Sequence, residues 1–144
     1  MLVKQILQAK GNSAVITIKP GTSVREAADI LAERRIGGLV VSSTGERAEG
    51  ILSERDIVRS LAVRGPSCLS ETIDQMMTHN PVCCSVQDSS DAVLARMTEG
   101  RFRHMPVVEE GKLVGIVTIG DVVKARLDEL SMEKTALEGM IMGY

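Results

Sequence analysis

The sequence predicts an α/β chain, α+β in its local order, in which one β-α-β-β-α unit is written twice and the two units pack sheet to sheet. Two observations carry the prediction. The first is an internal duplication. A shift of 66 residues lays 23–36 over 89–102 without a gap, so that Ala27 meets Val93, Ala28 meets Leu94, Leu31 meets Met97 and Ile36 meets Phe102. A shift of 65 lays 50–59 over 115–124; the extra residue of the first copy falls in a polar hairpin turn at 43–49, where insertions are tolerated. The second is the alternation of short β-branched runs with helical stripes, in a chain of 144 residues that is 44% hydrophobic and 25% charged. That length suffices to bury roughly 70% of the unfolded surface.

Each element follows from local chemistry. Residues 2–9 read as a short amphipathic helix, interrupted by Lys4, Gln5 and Gln8, and not as a signal peptide. Val15, Ile16, Thr17 and Ile18 form a β-branched strand closed by Lys19-Pro20-Gly21. Thr22 or Ser23 can cap the next helix, with Glu26 as a capping-box partner. Val24, Ala27, Ala28 and Leu31 then share one apolar face, and Gly37-Gly38 is expected to stop the helix. A strand at 39–41, a turn at 43–46, a returning strand at 48–52 and a helix over 53–62 complete the unit. The second copy repeats this with a strand at 82–86, a helix at 89–99, strands at 104–108 and 113–117 around Glu110-Gly111, and a helix from Thr118.

Arg64-Gly65-Pro66-Ser67 breaks the pattern between the copies. The resulting division is 8–66 for the first repeat, 67–75 for a connector helix, 76–134 for the second repeat and 135–144 for a C-terminal helix end and tail. A short helix over 69–77 is expected to lead into the second copy as residues 2–9 lead into the first. Each unit leaves an apolar sheet face uncovered, so two units should pack around a pseudo-twofold axis with two related clefts. On the last helix Val123, Leu127, Leu130, Leu137 and Ile141 make a stripe that serves either intramolecular packing or, the favoured reading, a helix–helix homodimer seam.

The chemistry concentrates in a recurring element, Gly-apolar-apolar-(Ser/Thr)-x-x-Asp: Gly50, Ser53 and Asp56, then Gly115, Thr118 and Asp121. In isolation, Ser or Thr three residues before an acid is a capping box. Here the element occurs twice at equivalent positions, follows the last strand of each unit, and uses Asp where a capping box prefers Glu. The short Asp side chain is expected to project at the helix start instead of folding back. Two carboxylate oxygens suit the vicinal hydroxyls of a ribose, and the free N–H groups and positive helix end beside them suit a phosphate. On the residues alone both readings stand.

From about residue 7 to 130 the chain resembles a pair of cystathionine-β-synthase (CBS) domains, the two-repeat unit called a Bateman module. The resemblance rests on Thr17-Ile18-Lys19-Pro20, on Ile36-Gly37-Gly38-Leu39-Val40-Val41, on Phe102-Arg103-His104-Met105-Pro106-Val107, and on the two Ser/Thr-x-x-Asp elements. It implies an adenosyl ligand (AMP, ADP, ATP, NAD, NADH or S-adenosylmethionine) in the inter-repeat clefts, and pairing of two modules into a disc-shaped homodimer. It further implies that Asp56 and Asp121 hold riboses, flanked by Arg55 and Gly120, with Ser53 and Thr118 at ribose or phosphate. Ile16, Thr17 and Ile18, and in the second copy Cys84, Ser85 and Val86, would line the base pockets. Ile36, Gly38 and Leu39, with Met105 and Pro106, would contact adenine. Arg103 and His104 would face phosphates, or else form a solvated strand edge or an interface ion pair. The first copy has Gly37-Gly38 where the second has Arg103-His104, so the clefts are expected to differ in affinity or ligand, with Asp121, Arg103 and His104 as the better supported set.

Composition bounds the function classes. A net charge of −2, from 17 Lys+Arg and 19 Asp+Glu, offers no basic field for nucleic acid or an anionic membrane. One Phe, one Tyr and no Trp offer no platform for stacked bases. No apolar run approaches the ~18–20 residues of a bilayer span. There is no Ser/His/Asp, zinc or Walker-type set, and neither His79 nor His104 has a His or Cys at ligand spacing. The expectation is a non-catalytic sensor that acts on a separate effector protein or on its own oligomer; the alternative is a structural dimerisation module with vestigial clefts. Three cysteines make no disulfide framework and favour a reducing cytoplasm. Cys83 and Cys84 point to opposite faces of a strand, so one belongs to the core, and Cys68 in the connector is expected to be the exposed thiol.

Overall fold

The computed structural model describes residues 1–11 and 15–143; Tyr144, the end of the expected tail, lies outside them. In the first repeat β1 (Thr17–Ile18) runs parallel to β2 (Gly38–Val41), which pairs antiparallel with β3 (Gly50–Ser53). Between and after them lie α2 (Val24–Arg34) and α3 (Glu54–Arg64). Ser23 caps α2 by accepting from the Glu26 N–H. The apolar stripe lands as its spacing requires: Val24, Ala27 and Leu31 are buried against Leu39, Val41, Leu52 and Ile57. The helix does not stop at Gly37-Gly38. Arg35 takes the left-handed conformation (φ 54°) and closes it, and Arg101 (φ 57°) does the same for α4 (Ser90–Gly100). Gly38 opens β2 instead, for a reason that lies in the other repeat.

The second repeat continues from α4 with β5 (His104–Glu109), β6 (Lys112–Thr118) and the long α5 (Ile119–Met142). The β5–β6 turn places both Glu110 (φ 52°) and Gly111 (φ 78°) in the left-handed region, which matches the twist of a two-residue hairpin. The strand expected at 82–86 shrinks to one parallel bridge, Cys84 beside Val107. The Asp88 carboxylate captures the Ser85 N–H at 2.8 Å, so the chain turns away immediately after Cys84. This bridge is the counterpart of Ile18 beside Val41 in the first repeat.

The segments that precede the repeats are exchanged. α1 (Val3–Ala9) does not lead into the first repeat: Val3 and Ile6 are buried in the core of the second, with Val93, Met97, Met105, Val107 and Val117. The connector is not one α-helix but two short 3-10 helices, Pro66–Ser70 and Ile73–Gln75, and it folds onto the first repeat with Ile73 fully buried there. The same hydrogen bonds tie both segments. Val3 N–H donates to Asp88 O and Ser90 N–H to Met1 O; Ile73 N–H donates to Thr22 O and Val24 N–H to Glu71 O. The connector then adds β4 (Thr78–His79) to the free edge of β3. This back-folding buries Cys68, against the expectation of an exposed thiol. It also explains two glycines: a Cβ at Gly50 would lie 2.8 Å from Met77 Sδ, and one at Gly115 2.8 Å from Leu7 Cδ2. Each glycine makes room for the segment that precedes the opposite repeat.

Along α5 the stripe faces outward: Val123, Leu127, Leu130, Leu137 and Ile141 are all exposed, from 42% to 83%. Among the described residues no helix is long and apolar enough to cross a membrane.

Candidate ligand clefts between the repeats

Both Ser/Thr-x-x-Asp elements open helices, and both are complete capping boxes. The Ser53 N–H donates to Asp56 Oδ2 (2.9 Å) while Ser53 Oγ accepts from the Asp56 N–H (3.3 Å). The Thr118 N–H donates to Asp121 Oδ2 (2.9 Å), and Thr118 Oγ1 accepts from the Asp121 N–H (3.1 Å). The expectation that Asp is too short to fold back is therefore corrected. An N-cap in the extended conformation brings its own N–H within reach of a one-methylene carboxylate. Such a box stabilises a helix start by about 1 kcal/mol. Only Oδ2 is used; Oδ1 of each aspartate has no hydrogen-bond partner among the described residues.

Two clefts lie between the repeats, and each joins the capped helix start of one repeat to the strand starts of the other. The cleft beside Asp56 has a volume of about 300 Å³. Ser53, Arg55, Asp56 and Arg59 form one wall; Asn80, Val82, Arg101, Arg103 and His104 form the other. None of these four arginines forms an ion pair among the described residues.

The cleft beside Thr118 is larger, about 1010 Å³, and more apolar. Thr118, Gly115, Ile116 and Val114 face Val15, Ile16, Ile36, Gly37 and Gly38, and Leu7 and Lys10 from the end of α1 close one side. Lys10 Nζ donates to Asp121 Oδ2 (2.8 Å) and to Ile116 O (2.9 Å). Partial burial pushes the Asp121 carboxyl up, but the Lys10 bond, the Thr118 N–H and the ammonium charge outweigh it and hold the group below its ordinary range.

His104 lines both clefts. Its ring lies on the first repeat's glycines: a Cβ at Gly38 would stand 2.8 Å from Cδ2, and one at Gly37 3.2 Å from Nε2. The pair Gly37-Gly38 is therefore the socket for a side chain that only the second copy carries. Burial lowers the pKa of His104, with Glu54 opposing and Arg103 assisting, so the neutral ring is favoured.

The structure sorts the expected contact residues. Ser53, Arg55, Asp56, Arg103 and His104 meet at one cleft; Ile16, Ile36, Gly38, His104 and Thr118 meet at the other. Arg103 thus stands with Asp56 and not with Asp121, because each cleft crosses between repeats. Ile18, Leu39, Cys84 and Met105 are core residues, and Thr17, Ser85, Val86, Pro106, Gly120 and Asp121 line neither cleft, Asp121 being held behind Thr118 by the Thr118 N–H and Lys10. The base-pocket register in the second copy is off by two residues: Val82, not Cys84, takes the place of Ile16, while Cys84 takes that of Ile18. Burial, aided by Asp88, pushes the Cys84 thiol up to about 12, as befits an inert core cysteine. The duplication itself could have exposed Arg35 and Arg101, which align at a shift of 66 and each line a cleft. Nothing in the sequence links Lys10 to Asp121. Among the described residues no group of three or more His, Cys, Asp and Glu could hold a metal ion.

Comparison with known proteins places this architecture. The family model for the CBS domain matches residues 3–63 and 73–128. An Arabidopsis thaliana CBS domain-containing protein, the mitochondrial CBSX3, is 31% identical over 98% of this chain and 72% of its own length. Another from the same plant, CBSCBSPB2, is 30% identical over 88% of the chain, which spans only 23% of that longer protein. Among solved structures, a CBS-domain containing protein of Agrobacterium tumefaciens superposes with a TM-score of 0.83 at 43% identity, covering 88% of this chain and 99% of that one. The CBS domain pair of protein MJ0100, in complex with 5′-methylthioadenosine and S-adenosyl-L-methionine, gives 0.77 at 29% identity over 90% and 98%. A Pyrobaculum aerophilum CBS domain protein complexed with AMP gives 0.76 at 26% identity over 92% and 99%.

Proposed function

Because the chain belongs to the CBS-domain family and carries the domain twice, we propose that it is a regulatory module that binds an adenosyl ligand in the clefts between its repeats. The observation that carries this is the crossed construction of the clefts. Each sets one repeat's capped helix start against the strand starts of the other repeat: Thr118, bonded to Asp121, lines one, and Asp56, whose Oδ1 has no hydrogen-bond partner among the described residues, lines the other. A ribose on that oxygen and an adenine against Val82 or Ile16 would touch both repeats at once. Such a ligand favours one relative arrangement of the repeats, which is the differential affinity that regulation requires. Related pairs bound to AMP or to S-adenosyl-L-methionine support the ligand class. AMP, ADP, ATP, NAD and NADH are the candidates, and the action is on an effector protein with no catalysis by the module itself. The exposed α5 stripe, together with the exposed Val58 and Val63 of α3, supports a homodimer.

A thermal-shift panel of these nucleotides and S-adenosylmethionine tests the reading. A ligand at about a hundred times its Kd stabilises by ~2.7 kcal/mol, a rise of several degrees. Asp56→Ala and Asp121→Ala should each remove part of the response. No shift with any ligand, together with unaltered partner binding in both variants, would leave a structural dimerisation module with vestigial clefts. That alternative draws on Oδ2 of each aspartate already serving its own helix. Sedimentation at micromolar concentration tests the dimer, and a monomer there sinks it.

A further inference from the structure

Resting on that reading and going beyond it, we infer that the two clefts sort adenosyl ligands by charge: the Asp56 cleft takes the polyphosphate-bearing ligand, and the Thr118 cleft takes one with little or no phosphate. The inference comes from the positions at which the two repeats differ. At the second helical position of the capped helix the Asp56 cleft has Arg55, where α5 has Gly120. At the residue before the second strand of each repeat it has Arg103, where the other cleft has Gly37. Two guanidinium groups therefore stand on opposite walls of one cleft; at the other, Gly37 takes the place of Arg103, and Gly120, which matches Arg55, brings no side chain to it.

Arg59 and Arg101 line the same small cleft, in which Asp56 is the only carboxylate among the described residues. Four guanidinium groups without an ion pair among the described residues surround about 300 Å³ and favour an anionic occupant. The planar fork of Arg suits phosphate oxygens, and the start of α3 adds backbone donors. The Thr118 cleft also has arginines, Arg34 and Arg35. It lacks the pair across the helix start, though, and its one ammonium, Lys10, is already held by Asp121. Leu7, Ile16, Ile36 and Ile116 instead offer apolar wall to an uncharged adenosyl group in a cleft of about 1010 Å³.

Calorimetric titration of the full chain with ATP, adenosine and inorganic tripolyphosphate tests the sorting. Expected are one tight ATP site per chain, competition of tripolyphosphate with ATP but not with adenosine, and ATP binding that weakens as salt is raised. Arg55→Gln with Arg103→Gln should weaken ATP about tenfold or more and leave adenosine within about twofold. Both arginines are exposed and form no ion pair among the described residues, so the variant should keep the wild-type circular dichroism and melting curve. Gly120→Arg, whose Cβ would meet only Thr118 Oγ1 at 3.6 Å, should raise the affinity of the second cleft for ATP. Two equal ATP sites, or ATP affinity indifferent to Arg55 and Arg103, overturns the sorting while leaving adenosyl binding intact. Arginine-dependent tripolyphosphate binding with no response to adenosine overturns the adenosyl reading, and the sorting of adenosyl ligands falls with it.

Discussion

The Asp56 cleft and the Thr118 cleft are made by one folding rule and differ in what fills their equivalent positions. Both set a capped helix start against the strand starts of the opposite repeat, and both keep a glycine where the exchanged segment crosses. The Asp56 side carries arginines on both walls. On the other side the end of α1 delivers Lys10 to the carboxylate, and Gly37-Gly38 receives His104. Duplication thus preserves the backbone frame, while a few substitutions near the pseudo-twofold axis divide two equivalent sites into different ones.

The sharpest way to break this comparison is at the socket. Gly38→Ala places a Cβ against the His104 ring and should cost about 2–3 kcal/mol in urea unfolding. In a His104→Ala background the cost should fall below about 1 kcal/mol; equal costs in both backgrounds would disprove the socket. Next come the crossing glycines. Gly50→Ala meets both Met77 Sδ and the backbone Thr78 O at 3.1 Å, whereas Gly115→Ala meets only the mobile end of Leu7. The first should destabilise by about 1–2 kcal/mol and the second by about 1 kcal/mol or less, read from the same unfolding midpoints.

Smaller effects are expected from charge. Lys10 and Asp121 are both partly exposed, so Lys10→Met should cost under about 1 kcal/mol at pH 7. The folded Asp121 carboxyl is held low. Its contribution is therefore fully present above the ordinary carboxylate value near 4 and lost as pH falls through the lower folded value. Lys10→Met should flatten that acid limb in a pH series of melting temperatures. The smallest effect belongs to His104, whose folded pKa is lowered first by burial. Its contribution is present above about pH 6.5 and fades as pH falls through the folded value. His104→Gln should narrow the difference in Tm between pH 7.5 and pH 5.5, and an unchanged difference would place the ring elsewhere.

Much of this was legible from local chemistry. The helix stripes, the Ser23, Ser53 and Thr118 caps and the Glu110-Gly111 turn depend on residues three or four apart, and the duplication made every assignment twice. Reading failed where a local rule had a distant competitor. Gly37-Gly38 looks like a helix stop until His104 supplies another reason for it. Residues 82–86 look like a strand until Asp88 takes the Ser85 N–H. Cys68 looks exposed in a polar connector until that connector folds back on the first core.

By itself the sequence determined the repeat, the order of elements, the apolar faces and the two helix starts, because spacing and capping act over a few bonds. Tertiary structure alone decided that each preceding segment packs on the opposite repeat, that Arg103 stands with Asp56, and that Lys10 reaches Asp121 across 111 positions of chain. Those pairings depend on which of two similar surfaces a segment covers, and a duplicated sequence offers both surfaces with nearly the same pattern. The choice is made by the volume and charge of side chains that meet only after the chain has folded.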